Sequence, residues 1–555
     1  MSIYSNLKGG SATTVYSTIG DLPLSDVTTG AQAYVSSTNR LYIWNGTGWY
    51  NIALINTAPT ITTGGDAAYT LATDGAPSIV TLEANDPEGL PIIWSYAVTA
   101  GSLGSTATVS QSDNVFTITP STLEADAGGF TLTFTASDGV NLATSASEFS
   151  LAFAGDWSLA TQQAKIQASD RGASDRFSDP VSISGDGNTI IAGARLEDTG
   201  GSNAGAAFIF ARSGSTWTEQ ALLQTSDIET NDYFGWAVSI SADGNTIIAG
   251  ASGEDTGDTD VGAAYIFTRS GSTWTEEAKI QASDKENTDL FGISVSISGD
   301  GNTVIVGANA EDTGGTSAGA AYIFTKSGST WTEQAKIQAS DATANALFGR
   351  SVSISEDGST AIVGADREDT DATDAGAAYI FTRSGSTWTQ QAKLQSSDKA
   401  AVDYFGFSVS ISSDGNTAIA GCYLDDTGAS NAGAAYIFTR SGSTWTEEAK
   451  IQSSDVQGAD EFGISVSISG DGNTVIVGAN KEDTGATDAG AAYIFTRSGS
   501  TWTEQVKLQA SDPEATDLFG MSVSISSDAS TAIVGAHYED TGAGAAGSAY
   551  IFVAG

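Results

Sequence analysis

Carboxylates recur through this sequence at fixed places, and their spacing is the first feature in it that could do chemistry. A Ser-Asp pair opens a loop seven times, at Asp170, Asp227, Asp284, Asp341, Asp398, Asp455 and Asp512. In six of those loops a second Asp follows five residues later, at Asp175, Asp232, Asp289, Asp403, Asp460 and Asp517, while the fourth has Ala346. Each unit also carries Glu-Asp-Thr or Asp-Asp-Thr, as in Glu311-Asp312-Thr313 and Asp425-Asp426-Thr427. Clusters of oxygen ligands alone suit hard cations, which makes Asp284, Asp289, Glu311 and Asp312 candidate Ca²⁺ ligands. The competing reading is structural, with short acidic side chains accepting backbone N–H bonds and clipping adjacent segments. Catalysis is a poor fit, because an acid/base site needs residues unique to one or two units and these carboxylates are repeated in nearly all. His537, the only histidine, has no Ser or Cys partner in a recurring motif. Cys422, the only cysteine, replaces a repeat Ala and reads as buried and inert, so no intrachain disulfide and no Cys-based metal site can form. The expectation is a protein that is not an enzyme.

The elements that must position these groups come from an internal repeat. Trp157, Trp217, Trp274, Trp331, Trp388, Trp445 and Trp502 are spaced by 60 and then five times by 57 residues. Phe-Gly pairs begin at Phe234, Phe291, Phe348, Phe405, Phe462 and Phe519, and the first unit has Phe177-Ser178 instead. Each unit reads as four short strands joined by turns, which predicts a seven-bladed β-propeller over residues 154–555. In the third unit strand A is 291–298, strand B 303–308, strand C 320–326 and strand D 330–338. Alternation along strand A sets Phe291, Ile293, Val295 and Ile297 against Gly292, Ser294, Ser296 and Ser298, large opposite small, so that neighbouring blades can approach near the axis. Strand B is apolar throughout and reads as buried on both faces. In strand D, alternation puts Trp331, Glu333, Ala335 and Ile337 on one face. The chain stops after a C strand, 549–555, and the first unit begins with an unpartnered D strand, 156–167, which is predicted to complete the last blade.

The whole chain reads as all-β. Residues 57–153 alternate apolar and polar positions in strand-length runs, which suggests an immunoglobulin-like or cadherin-like β-sandwich. Residues 1–56 form a small N-terminal β module with Tyr42, Trp44, Trp49 and Tyr50 around an Asn-Gly-Thr-Gly turn, small enough that it is expected to dock or to make a homo-oligomer. Across 555 residues there are 66 acidic against 22 basic side chains, a net charge of −44, which argues against nucleic acid or an anionic membrane as partner. No 18-residue apolar run exists for membrane insertion, and the first twenty residues lack the pattern of a secretory signal, so export by the ordinary route is not expected.

Phe291-Gly292, Gly307-Ala308, the run Gly319-Ala320-Ala321-Tyr322-Ile323-Phe324 and Trp331, recurring over about 400 residues, resemble the bacterial FG-GAP repeat family, related to the propeller of integrin α chains. That resemblance implies the fold and leaves function open, since its members include adhesins and scaffolding modules. Integrin-type propellers bind calcium in A–B hairpins of the form Asp-x-Asp-x-Asp-Gly; here Gly299-Asp300-Gly301-Asn302 has one carboxylate and too few residues, so those sites are not expected. In the sandwich, Asp86-Pro87-Glu88-Gly89 and Asp138-Gly139 resemble calcium-linker residues of cadherin-like repeats, with plain turns as the alternative reading. The segments 21–27 and 30–61 resemble a module of structural proteins from marine phages, particularly those infecting cyanobacteria.

The D–A and B–C loops leave the blades at one end, which should be acidic, and the C–D turns with Arg212, Arg269, Lys326, Arg383, Arg440 and Arg497 leave at the other. The second residue after each Phe varies between units, so Trp236, Arg350 and Phe407 are candidates for a ligand-binding surface at the mouth of the central channel, packing between blades being the alternative. The functional expectation is a non-enzymatic phage virion protein, a tail fibre or capsid-decorating adhesin. Its partners would be other virion proteins and a host cell-surface protein or glycan, and its location the virion, extracellular after host lysis. The alternative is a bacterial surface adhesin or matrix protein exported without a signal peptide.

Overall fold

The computed structural model describes residues 13–38, 40–52, 57–65, 67–71, 76–87, 89–121, 128–151, 155–370, 372–541 and 543–555. The chain divides into two compact units, Met1–Phe153 and Ala154–Gly555. Nearly all regular structure is β-strand, and no helix is long and apolar enough to cross a membrane among the described residues.

In the first unit, strands Thr14–Tyr16, Gln32–Val35, Arg40–Trp44 and Trp49–Ile52 make one sheet in that order. Its core is small: Leu22, Ala33, Val35 and Tyr42, with Tyr16 and Trp49 packed against them. The hairpin turn is held by the Asn45 side chain, whose Oδ1 accepts from the backbone N–H groups of Thr47 and Gly48, both at 2.9 Å. Downstream, a four-stranded sheet runs in the order Ala68–Thr70, Leu142–Leu151, Gly128–Ser137, Ile93–Gly101, and a three-stranded one in the order Ala107–Ser112, Val115–Pro120, Ser78–Thr81. Alternate residues of these strands, among them Phe116, Ile118, Leu132, Phe134 and Phe149, meet in one apolar cluster.

The second unit consists of seven four-stranded antiparallel sheets. Strand A of each contacts strand A of the next, including the step from the seventh blade back to the first, so the innermost strands form a closed circle. In blade 3 the strands are A, Ser294–Ile297; B, Thr303–Ala308; C, Ala320–Ser327; and D, Thr330–Ile337. Strand B is buried at every residue in all seven blades. The apolar cores lie between blades: Ile248, Ile266 and Ile280 of blade 2 interlock with Val295, Val304, Val306, Tyr322 and Phe324 of blade 3. Each such fully buried aliphatic side chain contributes roughly 1.5–3 kcal/mol.

The last blade takes its D strand, Thr161–Ile166, from the start of the unit, where it pairs antiparallel with Ser548–Val553. Trp157 itself lies ahead of that strand in a short 3-10 turn, Trp157–Leu159. It still covers Phe552 and donates from Nε1 to the carbonyl of Ala529 at 2.9 Å.

Two local departures from simple alternation have physical reasons. Strand D carries a β-bulge, with Phe324 opposite Glu333 but Ile323 opposite Ala335, so Gln334 is extra and the parity flips. Trp331 therefore packs toward blade 2 whereas Ala335 and Ile337 face blade 4, contrary to the single face that alternation predicts. Phe291 and Gly292 precede strand A rather than belonging to it, as in four other blades; only in blades 2 and 6 does the strand start at the Phe. Phe291 instead bridges to Gly262, which ends the B–C loop of blade 2. Gly292 sits at φ +93, and a Cβ there would lie 2.3 Å from the carbonyl oxygen of Ala263. The Phe-Gly of one blade and the Gly-Ala of its neighbour are thus two halves of one seam, Phe filling the core and glycine permitting the close approach.

Candidate functional site

Where each D–A loop meets the next blade, the repeated carboxylates surround a lysine. In blade 3, Lys336 Nζ lies 2.7 Å from Asp284 and 2.8 Å from Glu311, and Tyr322 donates its hydroxyl to Asp284 at 2.8 Å. The same Asp–Tyr–Lys contacts occur in blades 2 to 7, with Lys165 of the closing strand serving the last. Lysine lies on strand D and tyrosine on strand C of one blade, and the aspartate is in the loop arriving from the previous one. The contact therefore ties blade to blade. Glu311 is buried and also accepts from the Thr313 N–H and from Gln338 Nε2, each at 3.0 Å. Asp312 is a turn residue, accepting from the Ser317 N–H at 2.7 Å. Asp289, only 2% exposed, accepts from the Glu286 N–H at 2.7 Å.

These surroundings split the two aspartates of the loop electrostatically. Burial raises Asp284, but the hydrogen bonds from Lys336 and Tyr322 outweigh it and hold the carboxyl below its usual range. Asp289 has no cation beside it: burial pushes it up to about 6, the Glu286 N–H pulls it back and the charge of Glu311 adds to the rise. Asp232, Asp460 and Asp517 are likewise pushed up to about 6. Of the proposed calcium ligands in the propeller, Asp284 and Glu311 thus converge on an ammonium group, while Asp289 and Asp312 serve the backbone of their loops.

Blade 1 departs from this pattern at two positions together. Phe208 stands for the tyrosine and Leu222 for the lysine. Glu197 remains buried there, held by the Thr199 N–H at 2.7 Å and Gln224 at 3.4 Å, and burial with the nearby Glu219 leaves Asp170 raised rather than lowered.

In the first unit, Asp86 accepts from the Leu90 N–H at 2.8 Å and Asp138 from the N–H groups of Val140 and Asn141, both at 2.7 Å. Each holds its own turn; Glu88 lies outside the described residues. Cys422 is fully buried and donates to the carbonyl of Asp403 at 3.2 Å, with its thiol pushed well up by burial. Its Sγ lies near the carboxylates of Asp403 and Asp425, and these are already engaged by the Ala400 N–H and by Lys450 and Tyr436.

The two ends of the channel differ. At the A–B turns, backbone N–H···O=C bonds run from blade to blade through Gly185, Ala242, Gly299, Glu356, Ser413, Gly470 and Ser527. With a circle of strand-A isoleucines that includes Ile183, Ile297 and Ile411 they line a cavity of about 110 Å³. The isoleucines are 5–7% exposed, so that level of the channel is narrow and mostly apolar. The C–D basic residues share this end with turn aspartates such as Asp243 and Asp300, Asp243 feeling the charge of Arg269. That end is mixed in charge rather than basic.

The opposite mouth gathers side chains that do not repeat. Trp236, Arg350 and Phe407 are half-buried there beside strand A. Arg195, the residue after strand B in blade 1, lies over Trp236 at 4.1 Å and pairs with Asp179 at 3.0 Å. Arg350 lies over Phe407 at 4.7 Å, and Phe407 packs on Tyr423 at 4.6 Å. Trp236 also packs against the core between blades 2 and 3, so packing and exposure are combined in one side chain. The position after strand B, which carries Arg195, Asn309, Asp366, Tyr423, Asn480 and His537, was not singled out from the sequence, although it varies as openly as the position after Phe-Gly.

The FG-GAP repeat is matched seven times, at residues 160–210, 217–267, 274–324, 331–381, 388–438, 445–495 and 502–552. Among solved structures, the WD40 repeats of RRP9 are similar at 8% identity, covering 72% of this chain and 99% of that one, with a TM-score of 0.44. The β-propeller domain of the Trilobed protease from Pyrococcus furiosus is similar at 9% identity, covering 68% of this chain and 90% of that one, with a TM-score of 0.37. Comparison with curated proteins gives no match.

Proposed function

The chain belongs to the FG-GAP repeat family, and from that premise we propose that it is a non-enzymatic virion protein, a tail fibre or capsid-decorating adhesin. In this reading the N-terminal sheet, whose sequence resembles modules of marine phage structural proteins, attaches to the particle. The two-sheet region acts as an immunoglobulin-like or cadherin-like spacer, and the propeller is displayed to bind a host surface or a neighbouring virion protein. The observation that carries it is a division of labour within the propeller. Repeated ionisable groups are consumed by contacts that hold the blades, as Lys336 is by Asp284 of the incoming loop and Glu311 of its own blade, and the side chains that differ between blades collect at one channel mouth. A binding protein built from copied units needs its specificity in the uncopied positions.

Fluorescently labelled protein on intact candidate host cells tests this reading. Saturable binding is expected, and it should persist with a calcium chelator because the clips use lysine. No binding to any candidate host, with the purified protein folded, would overturn the host-binding role.

A further inference from the structure

Resting on that reading, we propose that the channel mouth is a saccharide site, with Trp236, Phe407 and Tyr423 as stacking platforms and Arg195, Arg350 and Asp366 as planar hydrogen-bonding groups. Three independent observations converge on this mouth. The far end of the channel is lined by isoleucines and by the glycine, alanine, serine and glutamate residues of the A–B turns, and offers a ligand neither an aromatic face nor a cation. The residue following strand B is buried yet has a polar atom without a hydrogen-bond partner in four blades: Asn309 Oδ1, Asp366 Oδ1, Asn480 Oδ1 and His537 Nδ1, at 3–6% exposure. A buried polar atom left unpaired costs about 1–3 kcal/mol, and four at one repeat position amount to hydrogen-bonding capacity that the fold itself does not use.

These atoms belong to the same seams as the mouth residues. Asn480 Nδ2 reaches Met521, which occupies the Trp236 position of blade 7, at 3.4 Å. Asp366 feels the charges of Arg350 and Arg367, and His537 those of Asp179, Arg176 and Arg195. The third observation is the residue chemistry. Aromatic rings held from one side, Trp236 by Arg195, Phe407 by Arg350 and Tyr423 by Tyr404, are the kind of rigid surface on which the C–H face of a sugar ring stacks, and Asp, Asn and Arg present paired donors or acceptors to vicinal hydroxyls.

The sugar should be neutral. Arg195 is already paired with Asp179, and the loops of this end carry an excess of carboxylates in a chain of net charge −44, which would repel a uronate.

The test uses the full chain on immobilised neutral hexose oligosaccharides and their uronate-bearing counterparts, followed by titration of any that bind. At least one neutral oligosaccharide should bind, with affinity falling about tenfold or more in Trp236→Ala and in Arg350→Ala. Arg383→Ala, at the opposite end with the C–D turns, should bind as the parent does, and melting curves show which variants are folded. If Trp236→Ala fails to fold, Phe407→Leu takes its place. Failure to bind any sugar, binding of uronates alone, or binding untouched by the mouth variants would overturn the proposal. Periodate treatment of host cells, which cleaves vicinal diols, separates this claim from the one it rests on. Cell binding that survives periodate sinks the saccharide site and leaves host attachment standing, and sugar binding without cell binding does the reverse.

Discussion

Blades 1 and 3 have the same four strands and the same buried glutamate, yet one carries its own counter-ion and the other does not. In blade 3, Lys336 and Tyr322 bind Asp284, and Lys336 also binds Glu311; in blade 1, Leu222 and Phe208 leave Asp170 and Glu197 to backbone and amide donors. Lysine and tyrosine are lost together, which is what a single functional unit would do. The comparison teaches that the clip strengthens a seam that hydrophobic packing already defines, because blade 1 still packs on the last blade, Ile190, Ala192 and Phe208 meeting Ile166, Ile533 and Ile551.

Importing the blade 1 pair into blade 3, as Tyr322→Phe with Lys336→Leu, should have the largest effect. Glu311 is then a buried carboxylate without its cation, and a loss of about 3–5 kcal/mol is expected, read from guanidinium unfolding. The reverse exchange, Phe208→Tyr with Leu222→Lys, should stabilise the protein by about 1–2 kcal/mol by supplying charged hydrogen bonds to Asp170 and Glu197. Equal and small effects in both directions would mean that the clip is ornamental.

A finer distinction concerns the second loop aspartate, which blade 3 keeps as Asp289 and blade 4 replaces with the buried Ala346. Asp289 has its folded pKa raised to about 6, above the unfolded value, so the folded state holds the proton more tightly. Its contribution is favourable at low pH and is lost as pH rises through about 6. Asp289→Asn should therefore raise the melting temperature at pH 7.5, by the equivalent of on the order of 1 kcal/mol, with the gain shrinking as pH falls from about 6 and vanishing below 3.8. The lowered Asp284 and its counterparts have the opposite sign, their stabilisation disappearing as pH falls below the ordinary carboxylate range. The smallest expected effect is that of calcium removal. With lysine at the centre of six clips, a chelator should leave the melting temperature where it was. A drop that vanished in the Phe208→Tyr, Leu222→Lys variant would instead place a cation in blade 1.

Much of the propeller is legible in the sequence because the repeat states the same packing problem seven times. Phe291, the Ser294 and Ser296 face and the closing strand all follow from spacing and alternation, and Ser294 Oγ does reach the carbonyl of Gly349 in the next blade at 2.8 Å. The face of strand D was not legible, because the bulge at Gln334 leaves no mark in a hydrophobic pattern that both parities satisfy. Nor was the role of the acidic loops. Asp284 and Lys336 are 52 residues apart, and only the meeting of one blade's loop with the next blade's outer strand turns two exposed-looking charges into a pair. At the mouth, Trp236, Arg350 and Phe407 are variable in the sequence, but their neighbours Arg195, Asp366 and Tyr423 come from the position after strand B, which only the pairing of A with B and the stacking of blade on blade brings beside them.

That closure also decides how the disc bears load. Asp156 and Gly555 exchange backbone hydrogen bonds at 3.3 and 3.1 Å, so the two ends of the propeller leave it at a single point. Tension applied along the axis of Thr161–Ile166 would act across its ladder with Ser548–Val553. The bonds of that ladder are sheared together instead of being peeled one at a time, and Lys165, gripping Asp512 and Glu539, acts as a latch against slippage. A pull on that strand would therefore enter the propeller through its last blade, which the first and last strands of the unit build together.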